Sequence, residues 1–70
     1  SPNPVKNILN INENGLKNLK TVRIYSVSGK LLYESAFTKS INMEKYSNGL
    51  YFIQLITTGN IKETFKILKQ

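Results

Sequence analysis

Apolar and polar residues alternate with a period of two along most of this chain. In "KTVRIYSV", Val22 and Ile24 fall on one side and Thr21, Arg23 and Tyr25 on the other. That is the pattern of a half-buried strand, whose successive side chains point to opposite faces. "SVSGK" follows, and Gly29 supplies the positive φ that a tight hairpin requires. The chain returns through "KLLYESAF", where alternation allows two registers: Leu32 inward, or Leu31 with Tyr33 inward. The strongest strand pattern is "NGLYFIQLITTGN". Asn48-Gly49 is a turn dipeptide, and Leu50 to Thr57 is almost wholly β-branched, aromatic or aliphatic. Tyr51, Ile53 and Leu55 share one face, while Leu50, Phe52 and Ile56 share the other, so this segment is predicted to be a central strand. "TTGN" turns the chain into a last strand, where Phe65 and Ile67 alternate with Thr64, Lys66 and Leu68.

The remaining segments are weaker. Ile8, Leu9 and Ile11 form an apolar stretch directly after "SPNP", and "SINMEKYSNG" reads as a short strand through Ile41 and Met43 with an irregular turn anchored by Tyr46. "LKNLK" has leucines at i and i+3, Leu16 and Leu19, and makes at most one helical turn beside Asn14-Gly15. Five or six short strands at roughly 8–12-residue spacing predict an all-β fold, a small antiparallel sandwich or an open barrel. Parallel arrangements lack room for crossover helices.

Composition narrows the picture. Seventy residues make one domain, expected to span 1–70, and 40% apolar residues build one thin core. Cysteine and histidine are absent, so neither a disulfide nor a zinc site is expected, and packing has to hold the fold. No apolar run reaches the ~18 residues of a membrane helix, and no signal-peptide pattern is present; the chain reads as a module excised from a longer protein. A net charge of +6, from nine lysines and one arginine against four glutamates, points to anionic partners. Equally, single lysines protect the exposed edges of β-rich domains. Nine asparagines, none of them starting an N-x-[ST] acceptor, fit turn chemistry.

The residue inventory argues against catalysis. There is no histidine to act as a general base, and Glu13, Glu34, Glu44 and Glu63 lie on four separate segments. Ser28 and Lys30 belong to a hairpin turn. No acidic loop suits calcium, and the glycines stand singly, not in a phosphate loop. No enzyme activity and no cofactor are expected. Tyr25, Tyr33 and Phe52 with Lys20, Arg23 and Lys62 offer the ingredients of a nucleic-acid platform. Strand aromatics more commonly pack against their cross-strand neighbours, so no nucleic-acid partner is expected.

Taken in order, these pieces resemble the C-terminal sorting domain (type A family) of the type IX secretion system of Bacteroidota. The resemblance rests on Pro2, Asn3 and Pro4 leading to Leu9 and Ile11, then on Val22, Ile24, Tyr25, Gly29 and Lys30. It continues through Ile41 and Met43, then Gly49 and Tyr51, and ends on Lys66 and Lys69. Ser1 stands where that family usually has an aromatic residue, Ser26 where it often has aspartate and Tyr46 where it often has leucine.

The resemblance implies an Ig-like β-sandwich of about six to seven short strands. It also implies a secretion signal that directs attached N-terminal cargo, by way of the periplasm and shuttle proteins, through the outer-membrane translocon. A surface cysteine peptidase would then remove the domain before Ser1, leaving cargo secreted or held at the cell surface. Recognition is expected at Pro2, Asn3, Pro4, Gly29, Lys30, Gly49, Tyr51, Lys66 and Lys69. It would work by strand addition along Ile61 to Lys69, with Lys66 and Lys69 steering toward an acidic receptor, or by reading of the turn cluster around Pro4, Gly29 and Gly49. Pro2 and Pro4 are expected to fix φ, and Asn3 to satisfy local backbone groups, making either a corner that seats the first strand or a plain edge-strand start. The alternative function is an accessory carbohydrate-binding sandwich of a secreted hydrolase, which needs a flat row of exposed aromatics from Tyr25, Tyr33, Phe37 and Phe52.

Overall fold

The computed structural model describes residues 6–12 and 15–70, and within them all regular structure is strand. The strands are β1 (Ile8–Asn10), β2 (Leu19–Ser26), β3 (Leu31–Ala36), β4 (Ser40–Asn42), β5 (Gly49–Thr57) and β6 (Lys62–Lys69). They form a four-stranded sheet in the order β3-β2-β5-β6 and a two-stranded sheet of β1 and β4. All pairings are antiparallel. The all-β sandwich expected from the alternation is the architecture found.

Sequence periodicity translates directly into burial. On β2, Val22 and Ile24 are buried; on β5, so are Tyr51, Ile53 and Leu55; on β6, Ile67 joins them. These side chains line one face of the large sheet. Leu9 and Ile41, paired across the small sheet, and Met43 just beyond it complete the buried cluster. The small sheet is extended by one backbone bond at each end, Met43 N–H to Asn7 C=O at 2.7 Å and Ile11 N–H to Lys39 C=O at 2.7 Å. β5 has β2 on one side and β6 on the other, which is the central position predicted for it.

Two local features depart from simple alternation. The β2–β3 register shifts between Ile24 and Tyr25, so that Ile24 faces Tyr33 and Tyr25 faces Leu31. This bulge inserts Leu32 as an extra residue. Leu32 and Tyr33 therefore both pack on the core, while Leu31 is exposed, and neither of the two registers allowed by alternation holds. The single helical turn allowed for Leu16 to Lys20 does not form. Asn18 has φ 59°, a left-handed conformation that interrupts helical geometry, and Leu19 already opens β2. Leu16 and Leu19 both pack on the core from opposite ends of that kink.

Both hairpins of the large sheet use one turn design. In the first, Gly29 N–H donates to Ser26 C=O (2.9 Å) and Ser26 N–H to Lys30 C=O (2.8 Å). In the second, Asn60 N–H donates to Thr57 C=O (3.0 Å) and Thr57 N–H to Ile61 C=O (2.9 Å). Each is a three-residue loop whose last residue is left-handed, Gly29 at φ 91° and Asn60 at φ 64°. In each, the hydroxyl of the first residue accepts the N–H of the residue closing the loop, Lys30 at 3.1 Å and Ile61 at 3.1 Å.

The small sheet supplies the cover of the core through few side chains, which makes a sharp stability test. Leu9, 1% exposed, and its neighbour Ile8, 45% exposed, are aliphatic side chains of equal size on opposite faces of β1. Leu9→Ala is expected to cost about 2–5 kcal/mol, and Ile8→Ala no more than about 0.5 kcal/mol, read as midpoint shifts in urea denaturation. Equal shifts for the two variants would contradict the assigned core.

Candidate recognition surface

The register brings most of the residues expected to carry recognition to one end of the large sheet. Ser26 at the start of the β2–β3 turn faces Tyr51, Tyr51 faces Ile67, Gly49 faces Lys69 and Phe52 faces Lys66. Gly29 and Lys30 in the turn, Gly49 and Tyr51 on β5, and Lys66 and Lys69 on β6 thus share that end. They do not share a face. Tyr51 and Lys69 are buried on the core side, whereas Lys66 is exposed on the opposite side. Lys66 and Lys69, both expected to steer toward an acidic receptor, lie on different faces, and Lys69 is 6% exposed. Pro2, Asn3 and Pro4 lie outside the described residues.

The turn at this end depends on Ser26. Its Oγ accepts Lys30 N–H and lies 2.9 Å from Ser28 Oγ. An aspartate carboxylate at this position offers the same kind of acceptor, so serine keeps the turn chemistry while removing a charge.

Below the turn, β5 begins with Gly49 at φ 145°, and Tyr51 points back so that its hydroxyl donates to Ser47 C=O at 2.5 Å. This bond ties the approach of β5 to the strand itself. Tyr46 packs against Tyr51 with ring centroids 5.9 Å apart and planes tilted by 54°, and Lys45 Nζ lies 5.5 Å from the Tyr46 ring centroid. Among the described residues, the Tyr46 hydroxyl is the buried side-chain polar atom left without a hydrogen-bond partner. Burial raises its pKa above the ordinary 10.0, with further upward contributions from Tyr33 and Tyr51. Leucine in place of Tyr46 would bury no such group.

On the outward face of the sheet, Leu31, Tyr25, Phe52 and Lys66 stand in one row across all four strands. Leu50 and Leu68 pair in the adjoining row toward the end of the sheet. On the other side of the aromatic row, Arg23 faces Glu34 and makes an ion pair at 2.5 Å, which raises the Arg23 pKa chiefly through that hydrogen bond. Both partners are substantially exposed, so solvent screens the pair and it adds little to stability. Tyr33 and Phe37 pack on the core instead, so of the aromatics considered for sugar stacking only Tyr25 and Phe52 share the outward row. Among the described residues, no group of three or more metal-ligating side chains is placed to hold an ion.

A small antiparallel sandwich with a lysine-bearing final strand defines a class of structure and not yet a role. Comparison with protein families supplies the role: the sequence model of the secretion system C-terminal sorting domain matches residues 1–70. The chain belongs to this family, the type IX sorting domains that it resembles motif by motif. Its membership implies export across the outer membrane, to the cell surface or beyond. Neither curated proteins nor solved structures give a match.

Two substitutions check the local chemistry. Ser26→Ala removes the acceptor for Lys30 N–H and is expected to cost about 0.5–1.5 kcal/mol, with Ser26→Asp recovering most of it; equal unfolding midpoints for alanine and serine would refute the role given to the hydroxyl. Tyr46→Phe removes an unpartnered buried hydroxyl and is expected to be neutral or stabilising by up to about 1 kcal/mol. Because the folded pKa of Tyr46 lies above the unfolded value, its contribution to stability is fully present below pH 10.0 and is lost as pH rises through the folded pKa. The phenylalanine variant should therefore lose less stability above pH 10.0 than the parent.

Proposed function

We propose that this chain is the address, and never the catalyst, of a type IX export event, a single domain read in its folded form. The observation that carries this reading is the family match over residues 1–70, joined to the convergence of Gly29, Lys30, Gly49, Tyr51, Lys66 and Lys69 on one end of the sheet. In this account the domain folds in the periplasm, and shuttle proteins deliver it to the outer-membrane translocon together with the N-terminal cargo of the same chain. A surface cysteine peptidase then removes it upstream of Ser1, and the cargo is released or joined to anionic lipopolysaccharide. Lys30 and Lys66, both exposed, contact the receptor. Gly29, Gly49 and Tyr51 shape the end of the sheet, and the stem of Lys69 packs beneath it.

The carbohydrate-binding alternative is supported less well. Sugar platforms need several coplanar exposed rings, and Tyr25 and Phe52 make a row of only two.

The test is a secretion assay. The seventy residues, behind a signal peptide, a fluorescent reporter and a short linker, are expressed in a host that carries a type IX system. Reporter in the medium or on the surface, lost when the translocon is disabled, is the expected result. Folded reporter retained in the periplasm of the intact host would overturn the reading.

A further inference from the structure

Of the large hydrophobic side chains that are exposed, Ile8, Val27, Leu31, Leu50 and Ile61, two sit on the outward face of the large sheet at the end just described. Leu31 is 46% and Leu50 41% exposed. Leu31 joins the half-buried rings of Tyr25 and Phe52 in a row, and Leu50 lies beside Leu68 in the next. Val27, in the turn that follows β2, is 62% exposed as well. Neither sheet packing nor the core explains this clustering, because the β1–β4 sheet covers only the other face. Contiguous exposed apolar surface on a small soluble domain is a mark of an interaction site.

We propose that this outward corner, centred on Leu31, Tyr25, Phe52 and Leu50, is the surface on which the export machinery docks, and that the docking protein presents an apolar centre rimmed by carboxylates. The inference rests on the sorting role proposed above and names the part of the domain that carries it. Its chemistry follows from the neighbours. Arg23, Lys62 and Lys66 share the face by register with a single acid, Glu34, and the chain as a whole carries +6. That charge repels a second copy of the same face and attracts an acidic one. Aliphatic side chains outnumber rings in the corner, which suits an apolar protein surface better than a sugar.

The test uses the reporter fusion of the secretion assay. Leu31→Glu/Leu50→Glu places acids on the docking surface at exposed positions, where the fold tolerates them; Ile8→Glu, at a similarly exposed position on the small sheet, is the matched control. The double variant is expected to lose export by about tenfold or more while the control matches the parent. Resistance of the periplasmic domain to protease confirms that each variant is folded. Should the double variant not fold, the single variant Leu31→Gln is read in its place and is expected to lower export. Parent-like export of the folded variants overturns the proposal and leaves the sorting role intact. Failure of the parent fusion to be exported overturns both. Parent-like export together with saturable binding of soluble polysaccharide or phosphatidylglycerol vesicles, lost in the double variant, would overturn the protein partner and assign the corner to that ligand.

Discussion

A four-stranded sheet with one apolar face is not stable until that face is covered, and here the cover is two three-residue strands. Leu9 from β1, Ile41 from β4 and Met43 just after it close over Val22, Ile24, Ile53 and Leu55. The rest of the structure depends on this closure. A chain of seventy residues without a cysteine to form a disulfide has only a few kcal/mol of net stability to lose. The small sheet is also the topological link between the two hairpins, because the chain leaves the large sheet after β3, pairs β4 with β1, and returns as β5 beside β2. Its burial therefore fixes both the core and the register in which the hairpins meet.

That division separates the two faces of the large sheet by task. The inward face is committed to Leu9, Ile41 and Met43 and leaves no surface for a partner. The outward face carries, at one end, exposed apolar side chains where solubility alone would favour polar ones. Both hairpin turns follow the same hydrogen-bond plan, yet only the β2–β3 turn lies beside the start of β5 and the end of β6. Gly29, Lys30, Gly49, Tyr51, Lys66 and Lys69 lie there, where all four strands of the large sheet and a turn come together. Tyr51 ties the core to this end of the sheet: its ring is in the core, and its hydroxyl holds the loop from which β5 departs.

Much of this was legible in the sequence. Val22 with Ile24, and Tyr51 with Ile53 and Leu55, announce buried faces by strict alternation, and two apolar faces identify β5 as central. The register of "KLLYESAF" was not legible, because a bulge breaks the period at the place where it would have to be read. The "LKNLK" spacing mimicked a helix: Leu16 and Leu19 reach the core through a left-handed Asn18, which no apolar pattern reveals. Lys69 shows a different limit. Its parity with Phe65 and Ile67 places it on the inward face, but lysine identity suggests solvent, and only the packed stem shows which wins. The motif residues were readable one by one; their gathering at one end of the sheet required the β2–β5 and β5–β6 registers. Ser26 was visible as a departure from aspartate, and its role as the acceptor for Lys30 N–H emerged only from the turn geometry.

The claim that the small sheet is an obligatory half of the core is tested most directly by native-state hydrogen exchange on the seventy-residue chain. The amides of Ile11 and Met43, bonded to Lys39 C=O and Asn7 C=O, report on the cover, and those of Ile53 and Leu55 report on the large sheet. If the closure is what holds the domain, all four exchange with the same opening free energy, equal to that of global unfolding. Exchange of Ile11 and Met43 through a much cheaper local opening, with Ile53 and Leu55 still protected, would show that the large sheet stands without its cover and would contradict the account.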